Sequence, residues 1–460
     1  MLTYDFDKRA GKTLYEYLYE RIKDDIIKGR LKPEEKLPSK REMAVNNGIS
    51  VITVENAYEQ LLVEGYINSI PKKGFYVCDI DFANVDVVHE KISETVKQEE
   101  KAFFDFTVDA IVMDGFPFSI WSKLMRRTLL DNETNFLLKP ESIGIKSLRD
   151  AIAGHLKSYR GLNVNPDNVI VGAGMEYLYS LVVALLGRNG MTAFEDPGYI
   201  NAAKVFENCG SKVCFIPLDE EGISISGLRR TKANLVHVTP SHHFPLGIVT
   251  SAARRHSIIK WAVDNNAYIL EDDYDSEFRF KGKPIPAMAS INPERVIYMN
   301  TFSKTLAPSI RIAYMVLPDN LMEEYRRKLG FYSGTVTGFE QYTLANFINE
   351  GYLERHINRM RNSYRKYREK MLGVISQEKY KDTCYVSEDG IGLHFILGIN
   401  TKKEDDVIKN ELRKKGYLVR TVSDFCVCNK EKFKHQFIIN YSDITISKID
   451  DFLTEIETIR

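Results

Sequence analysis

A β-rich run, Val296-Ile297-Tyr298-Met299, breaks into Asn300-Thr301-Phe302-Ser303-Lys304 and then continues through Pro308 to Arg311 and Pro318. The hydroxyls of Thr301 and Ser303, the Lys304 amine and the Arg311 guanidinium thus collect just beyond the end of a strand. Four earlier runs end in the same way. Val169 to Val171 leads into Gly172-Ala173-Gly174-Met175, Thr192 to Phe194 into Glu195-Asp196-Pro197-Gly198-Tyr199, and Leu235 to Val238 into Thr239-Pro240-Ser241-His242-His243. Tyr268 to Leu270 leads into Glu271-Asp272-Asp273-Tyr274. Stretches long enough for helices separate the five runs, and this alternation predicts an α/β domain with a mostly parallel sheet. Ligands of open α/β sheets lie outside the carboxyl ends of the strands, so the five clusters are expected to meet in one crevice.

The cluster contents suit an aldehyde-bearing pyridine that also carries a phosphate. A Gly-rich turn opening a helix presents unpaired N–H groups to a phosphate, and Thr301, Ser303 and Arg311 add hydroxyls and a cation. Lys304 supplies the amine for a Schiff base, Asp272 a partner for a protonated ring nitrogen, Tyr274 a hydrogen bond to the ring oxygen, and Tyr199 a surface for stacking. Each feature alone has a plainer explanation. GAG after a strand is usually a tight turn, most lysines are solvated, Asp272 sits in the acidic run EDDYDSE that Arg311 would complement, and Tyr199 is an ordinary core aromatic. Their joint occurrence at the ends of five strands favours the ligand site.

The first eighty residues follow another pattern. Leu14, Leu18, Ile22 and Ile26 recur every fourth residue on a helix ended by Gly29. A second helix is expected from Ser39, carrying Met43 and Ala44, and Asn46-Asn47-Gly48 marks a turn. Ser50 is the expected N-cap of a third helix, Val51 to Glu64, closed by Gly65. Two helices joined by a short Gly-containing turn outline a helix-turn-helix. Tyr66-Ile67 and Phe75-Tyr76-Val77 form a hairpin whose tip carries Lys72 and Lys73 as a basic wing. Ser39, Lys40 and Arg41 open the second helix, where N–H groups and cations meet phosphate, while Thr53, Glu55 and Asn56 lie early in the third, where base edges are read. Residues 1 to 79 are close to charge-neutral, so long-range attraction contributes little to this assignment. The expected divisions are 1–79 for the DNA-binding domain, 80–104 for a polar linker and 105–460 for the α/β domain, with a smaller α/β subdomain beyond Pro318.

The 460 residues exceed one ordinary core, and hydrophobic and charged contents of 44% and 27% are those of a globular protein. Lysine plus arginine and aspartate plus glutamate each number 63, so any nucleic-acid surface is local. The six cysteines show neither a disulfide framework nor paired metal spacing, and no metal is expected. The start has no apolar leader pattern and no apolar run reaches bilayer length, which predicts a cytoplasmic protein with no membrane partner.

The segment NTFSKTLAPSIRIAYMVLP resembles the Schiff-base motif of fold-type-I aminotransferases, and residues 105 to 460 look like that domain as a whole. Residues 12 to 77 resemble a GntR-type winged helix-turn-helix, and the two in this order resemble the MocR/GabR regulators. This resemblance implies pyridoxal 5'-phosphate as cofactor. Lys304 would be its Schiff-base lysine and catalytic residue, Asp272 would lie on the pyridine nitrogen and Tyr274 on the 3'-oxygen, with phosphate contacts from Gly174, Met175, Thr301, Ser303 and Arg311. It also implies a double-stranded DNA operator, a homodimer, and a small amine or the cofactor itself as effector, with at most weak or partial transaminase activity.

Departures from the family pattern are informative. Val51 stands where an Arg usually follows the Ser that opens the recognition helix. His243 replaces an amide that approaches the ring oxygen, Leu138-Lys139-Pro140-Glu141 has no counterpart of a Tyr that reaches in from the partner subunit, and Ile438 stands where relatives carry a carboxylate-clamping Arg. Free cofactor, an amine without a carboxylate, and a ligand held by another base such as Arg420 all stay open as effectors. An ordinary aminotransferase with an N-terminal interaction module is the alternative, and the missing Arg and Tyr count against it. A structural protein with a dead site is disfavoured by the presence of Lys304, Asp272 and Arg311.

Overall fold

A computed structural model of the chain describes residues 2–9, 11–80, 104–106, 115–279, 285–387, 392–440 and 446–460. The expected linker, 80–104, lies outside the described residues except at its two ends. The chain divides into two compact units, Met1–Lys97 and Gln98–Arg460.

In the first unit, α1 (Leu14–Ile27), α2 (Lys40–Asn47) and α3 (Val51–Val63) precede a hairpin of β1 (Ile67–Ile70) and β2 (Gly74–Val77). Leu18, Ile22 and Ile26 of α1 pack against Met43 and Ala44 of α2, Val54, Ala57, Tyr58 and Leu61 of α3, and Ile67 and Val77 of the hairpin. The i, i+3, i+4, i+7 spacing on α3 puts its apolar stripe on one face, as packing against two helices requires. Ser39 and Ser50 are N-caps: Ser39 Oγ accepts from the Glu42 N–H at 3.2 Å and Ser50 Oγ from the Thr53 N–H at 3.1 Å. Gly48 ends α2 at φ +65°, a left-handed conformation that costs glycine little, and so turns the chain from α2 into α3.

The second unit is built on an eight-stranded sheet in the order Val169–Gly172, Ala313–Val316, Val296–Thr301, Tyr268–Asp272, Leu235–Val238, Met191–Asp196, Lys212–Asp219 and Gly222–Ile223. The four central strands, Val296, Tyr268, Leu235 and Met191, pair parallel with one another. Ala313–Val316 is antiparallel to both of its neighbours, which leaves the Val169 strand running the same way as the central four. These strands are buried on both faces, and helices such as Met175–Leu186, which buries Leu178, Leu181, Val182 and Leu185, cover them.

A second, four-stranded antiparallel sheet joins Cys384–Ser387, His394–Ile399, Gln436–Asn440 and Arg420–Thr421. Its core centres on Leu397, Phe437, Ile439 and Phe452. The β-rich run Tyr417 to Val422 has the pattern of one strand. The structure splits it: Tyr417–Leu418 pairs with Phe104–Asp105, whereas Arg420–Thr421 pairs with Gln436–Asn440. The chain changes sheets at the buried Val419. The strands Lys212–Asp219, whose interior Pro217 argues against a strand, and Ala313–Val316 are not anticipated from the sequence. Among the described residues no helix is long and apolar enough to cross a membrane.

Candidate functional site

All five strand-end clusters contribute to one cavity of about 350 Å³. Met175 comes from the first cluster, Tyr199 from the second, Thr239 from the third, Asp272 and Tyr274 from the fourth, and Thr301, Ser303, Lys304 and Arg311 from the last. The parallel sheet brings them together, because side chains distant in sequence leave its strands at the same end. The four-stranded sheet and its loops close the other wall with His394, Arg420, Phe425, Ile438 and Asn440.

Asp272 ends its strand 5% exposed, with its two carboxyl oxygens in different situations. Oδ2 accepts from the Tyr179 hydroxyl at 2.5 Å and lies 3.3 Å from His237 Nε2. Oδ1 is buried with no hydrogen-bond partner among the described residues. The Ser303 hydroxyl is buried without one as well. Leaving such groups unsatisfied costs about 1–3 kcal/mol each, which a bound donor or acceptor recovers. A ring N–H suits Asp272 Oδ1 and a phosphate oxygen suits the Ser303 hydroxyl, so the polar atoms present fit a pyridine phosphate.

At the other end of the cavity, Gly174 caps the helix Met175–Leu186 at φ +92°. A Cβ there would stand 2.3 Å from Arg311 Nη2, so the close approach of the guanidinium needs a glycine. Arg311 is itself left-handed, at φ +48°, an uncommon state for a side-chain-bearing residue. Its Nη2 donates to Glu176 Oε2 at 2.5 Å, and both side chains are about half exposed. Thr301 Oγ1 accepts from the Ser303 N–H at 3.1 Å, which orients the turn that carries Lys304. The Lys304 ammonium lies 6.0 Å from the centre of the Tyr274 ring, whose hydroxyl is 3.3 Å from His242 Nδ1. Tyr199 crosses Phe244 edge to face at 6.1 Å.

Of the sequence-selected residues of this group, Gly174 and His243 do not line the cavity, and His243 is set back in the interior. It is buried beside Glu195, with its Nε2 3.7 Å from Glu195 Oε2 and its Nδ1 accepting from the Leu246 N–H at 3.3 Å. Burial holds its pKa down to about 3, and burial pushes Glu195 up to about 7 although Thr239 donates to it twice. Arg420 lies opposite Ile438 on the neighbouring strand, and its guanidinium carbon is 5.8 Å above the Phe425 ring. Sequence reading misses Tyr179, because a tyrosine in the apolar helix MEYLYSLVVALL reads as core, and it misses Asn201, Phe244, His394 and Asn440. None of these stands in a strand-end cluster that begins with a recognisable turn except Phe244, which follows the two histidines.

On the first unit, Arg41, Asn56, Lys72 and Lys73 are exposed. Lys40 is turned toward α3, its Nζ 2.5 Å from Glu55 Oε1. The Thr53 hydroxyl lies 2.8 Å from Ser50 Oγ, back toward the cap. Lys72 takes φ +62° at the hairpin tip.

Residues 14–77 match the family described as bacterial regulatory proteins, gntR family. The chain is 38% identical to the HTH-type transcriptional regulator YdeL of Bacillus subtilis (strain 168), over 89% of this chain and 89% of that protein. It is 31% identical to the probable rhizopine catabolism regulatory protein MocR of Rhizobium meliloti, over 87% of this chain and 85% of that protein. Its fold is similar to that of an archaeal alanine:glyoxylate aminotransferase, with a TM-score of 0.69 and 21% identity, covering 79% of this chain and 91% of that one.

Proposed function

Since the chain belongs to the MocR-type family of GntR transcriptional regulators, we propose that its aminotransferase-like unit binds pyridoxal 5'-phosphate and senses an amine-type effector, or the cofactor itself, through Lys304. The observation that carries this reading is the pair of buried polar atoms without partners, Asp272 Oδ1 and Ser303 Oγ, in one cavity with the Lys304 amine. When bound, the cofactor supplies an aldehyde and a pyridine ring that withdraws electrons.

The chain's own residues do the rest. Asp272, fixed from behind by Tyr179, holds the proton on the ring nitrogen. Ser303, Thr301, Arg311 and the N–H groups after Gly174 would hold the phosphate. Tyr274 hydrogen-bonds the ring oxygen, Tyr199 covers the ring face, and Lys304 presents its amine. His243 acts from behind the cavity, as a neutral group beside Glu195. Ser39, Lys40, Arg41 and the wing lysines Lys72 and Lys73 hold operator phosphates, and Ser50, Thr53 and Asn56 lie toward the bases. The reading extends to a cytoplasmic homodimer whose DNA-binding domain spans 1–79 and whose cofactor domain spans 105–460. Ile438 offers no charge to a carboxylate, and Arg420, paired with it on the neighbouring strand, is a cation at that wall of the cavity.

Borohydride reduction of the protein with bound pyridoxal phosphate, followed by peptide mass analysis, tests the assignment. The label is expected on Lys304 and lost in Lys304→Ala, which keeps its fold. A label on another lysine would refute it.

A further inference from the structure

The outward face of α3 is not what a guanine-reading helix presents. Its sequence, VITVENAYEQLLV, contains neither lysine nor arginine. The commonest base-specific contact in the major groove is a bidentate Arg or Lys on guanine, so α3 has no means of making it. Lys40, a cation at the start of α2, lies with its Nζ 2.5 Å from Glu55 Oε1 of α3.

What the face does present is Ile52 and Asn56. The core stripe of Val54, Ala57, Tyr58 and Leu61 sets the inward direction, and residues 52 and 56, one turn apart, lie on the opposite side. Ile52 is 69% exposed and the adjacent Val51 43%. A single exposed apolar side chain is ordinary on a surface. An exposed β-branched side chain in the first turn of the helix that enters the groove, one turn before an exposed asparagine, forms a surface of definite chemistry. The N-terminal residues of a recognition helix are those that touch base edges. Thymine alone offers a methyl group in the major groove, and asparagine pairs with the N6 and N7 edge of adenine.

We infer that α3 reads A·T pairs, with Ile52 against a thymine methyl group and Asn56 on an adenine, while Arg41 and the wing lysines hold the phosphates. The inference rests on DNA binding by the first unit and adds the base preference and the residues that set it.

The test uses the full-length protein. Random duplexes are enriched by binding, and the winning duplex is remade with deoxyuridine in place of each selected thymidine, which removes only the methyl group. Affinities are compared by fluorescence anisotropy at one salt concentration. Enriched sites are expected to carry thymine next to adenine, and each single deoxyuridine replacement should weaken binding about fourfold, the value of one buried methyl group. Ile52→Ala, which alters only an exposed side chain, should bind the thymine duplex less tightly and no longer distinguish thymidine from deoxyuridine at that position. The inference is overturned by deoxyuridine being neutral at every selected position, by Ile52→Ala retaining the distinction, or by enrichment of guanine under the helix. Failure to retain any duplex would overturn both the inference and DNA binding by the unit.

Discussion

Asp272 shows how much a single side chain is asked to do. One oxygen is anchored by Tyr179 and the other is left facing the cavity. Asp272→Asn keeps the shape but turns an amide N–H where an acceptor is needed, and pyridoxal phosphate affinity should fall about 10- to 100-fold, as for a lost hydrogen bond to a charged group. Equilibrium dialysis measures it, and unchanged affinity would remove Asp272 from the site. Asp272 and Lys304 are legible in the sequence because they follow strands. Tyr179 and His237 are not, since their roles exist only once a helix and another strand are packed beside Asp272. Glu195 offers a test by pH. Burial raises its pKa from 4.5 to about 7. Below 4.5 the folded and unfolded chains both hold the proton, and burial carries no electrostatic penalty. As pH rises toward 7 the unfolded chain releases the proton while the folded chain keeps it, so stability is lost across that window and the loss levels off above it, at about 3 kcal/mol. Glu195→Gln should therefore flatten the thermal stability profile between pH 4.5 and 7 relative to the parent, with its largest relative gain near pH 8. Parallel profiles for the two proteins would contradict this. The buried Glu271 and Glu277, raised to about 7 and about 8, titrate in both proteins and cancel in the difference.

At the scale of elements, the junction between Gly174 and the turn carrying Arg311 joins the first strand-end cluster to the last. Gly174→Ala would push its Cβ against the end of a flexible guanidinium rather than against backbone. The fold can absorb that by moving Arg311, but the phosphate site cannot. The left-handed φ adds about 1 kcal/mol or more of strain. A modest drop in melting temperature with a disproportionate loss of pyridoxal phosphate affinity is expected, and a loss of stability alone would show that Arg311 does not need its present place. The five strands that carry the clusters are legible from their β-rich runs and the turns that follow them. The four-stranded sheet is less so: its strand near Arg420 is two short pieces in different sheets, a distinction made by long-range pairing that no local pattern encodes. That change of sheet sets Arg420 opposite Ile438, at the wall of the cavity.

For the molecule as a whole, assembly is the property that sequence periodicity reveals least, because it depends on which apolar residues folding leaves uncovered. Within residues 118–138, Phe118, Leu130, Leu137 and Leu138 are 67%, 70%, 86% and 65% exposed. Phe136, between them, is packed on Phe339 at 4.2 Å, so this stretch packs against the rest of the second unit and still turns large side chains outward. Several such residues in one stretch mark an interaction surface rather than the scattered exposure normal for a monomer. The proposed homodimer gives it an occupant, since a two-fold axis places the same patch on both subunits. Sedimentation at micromolar concentration should give about twice the chain mass. The Leu130→Asp, Leu137→Asp pair should shift the protein toward monomer and lower its melting temperature in a way that depends on protein concentration, while the solvent-facing positions spare each subunit's core. A dimer that both substitutions leave intact would place the interface elsewhere, and a parent protein that sediments as a monomer would rule out the two-fold assembly.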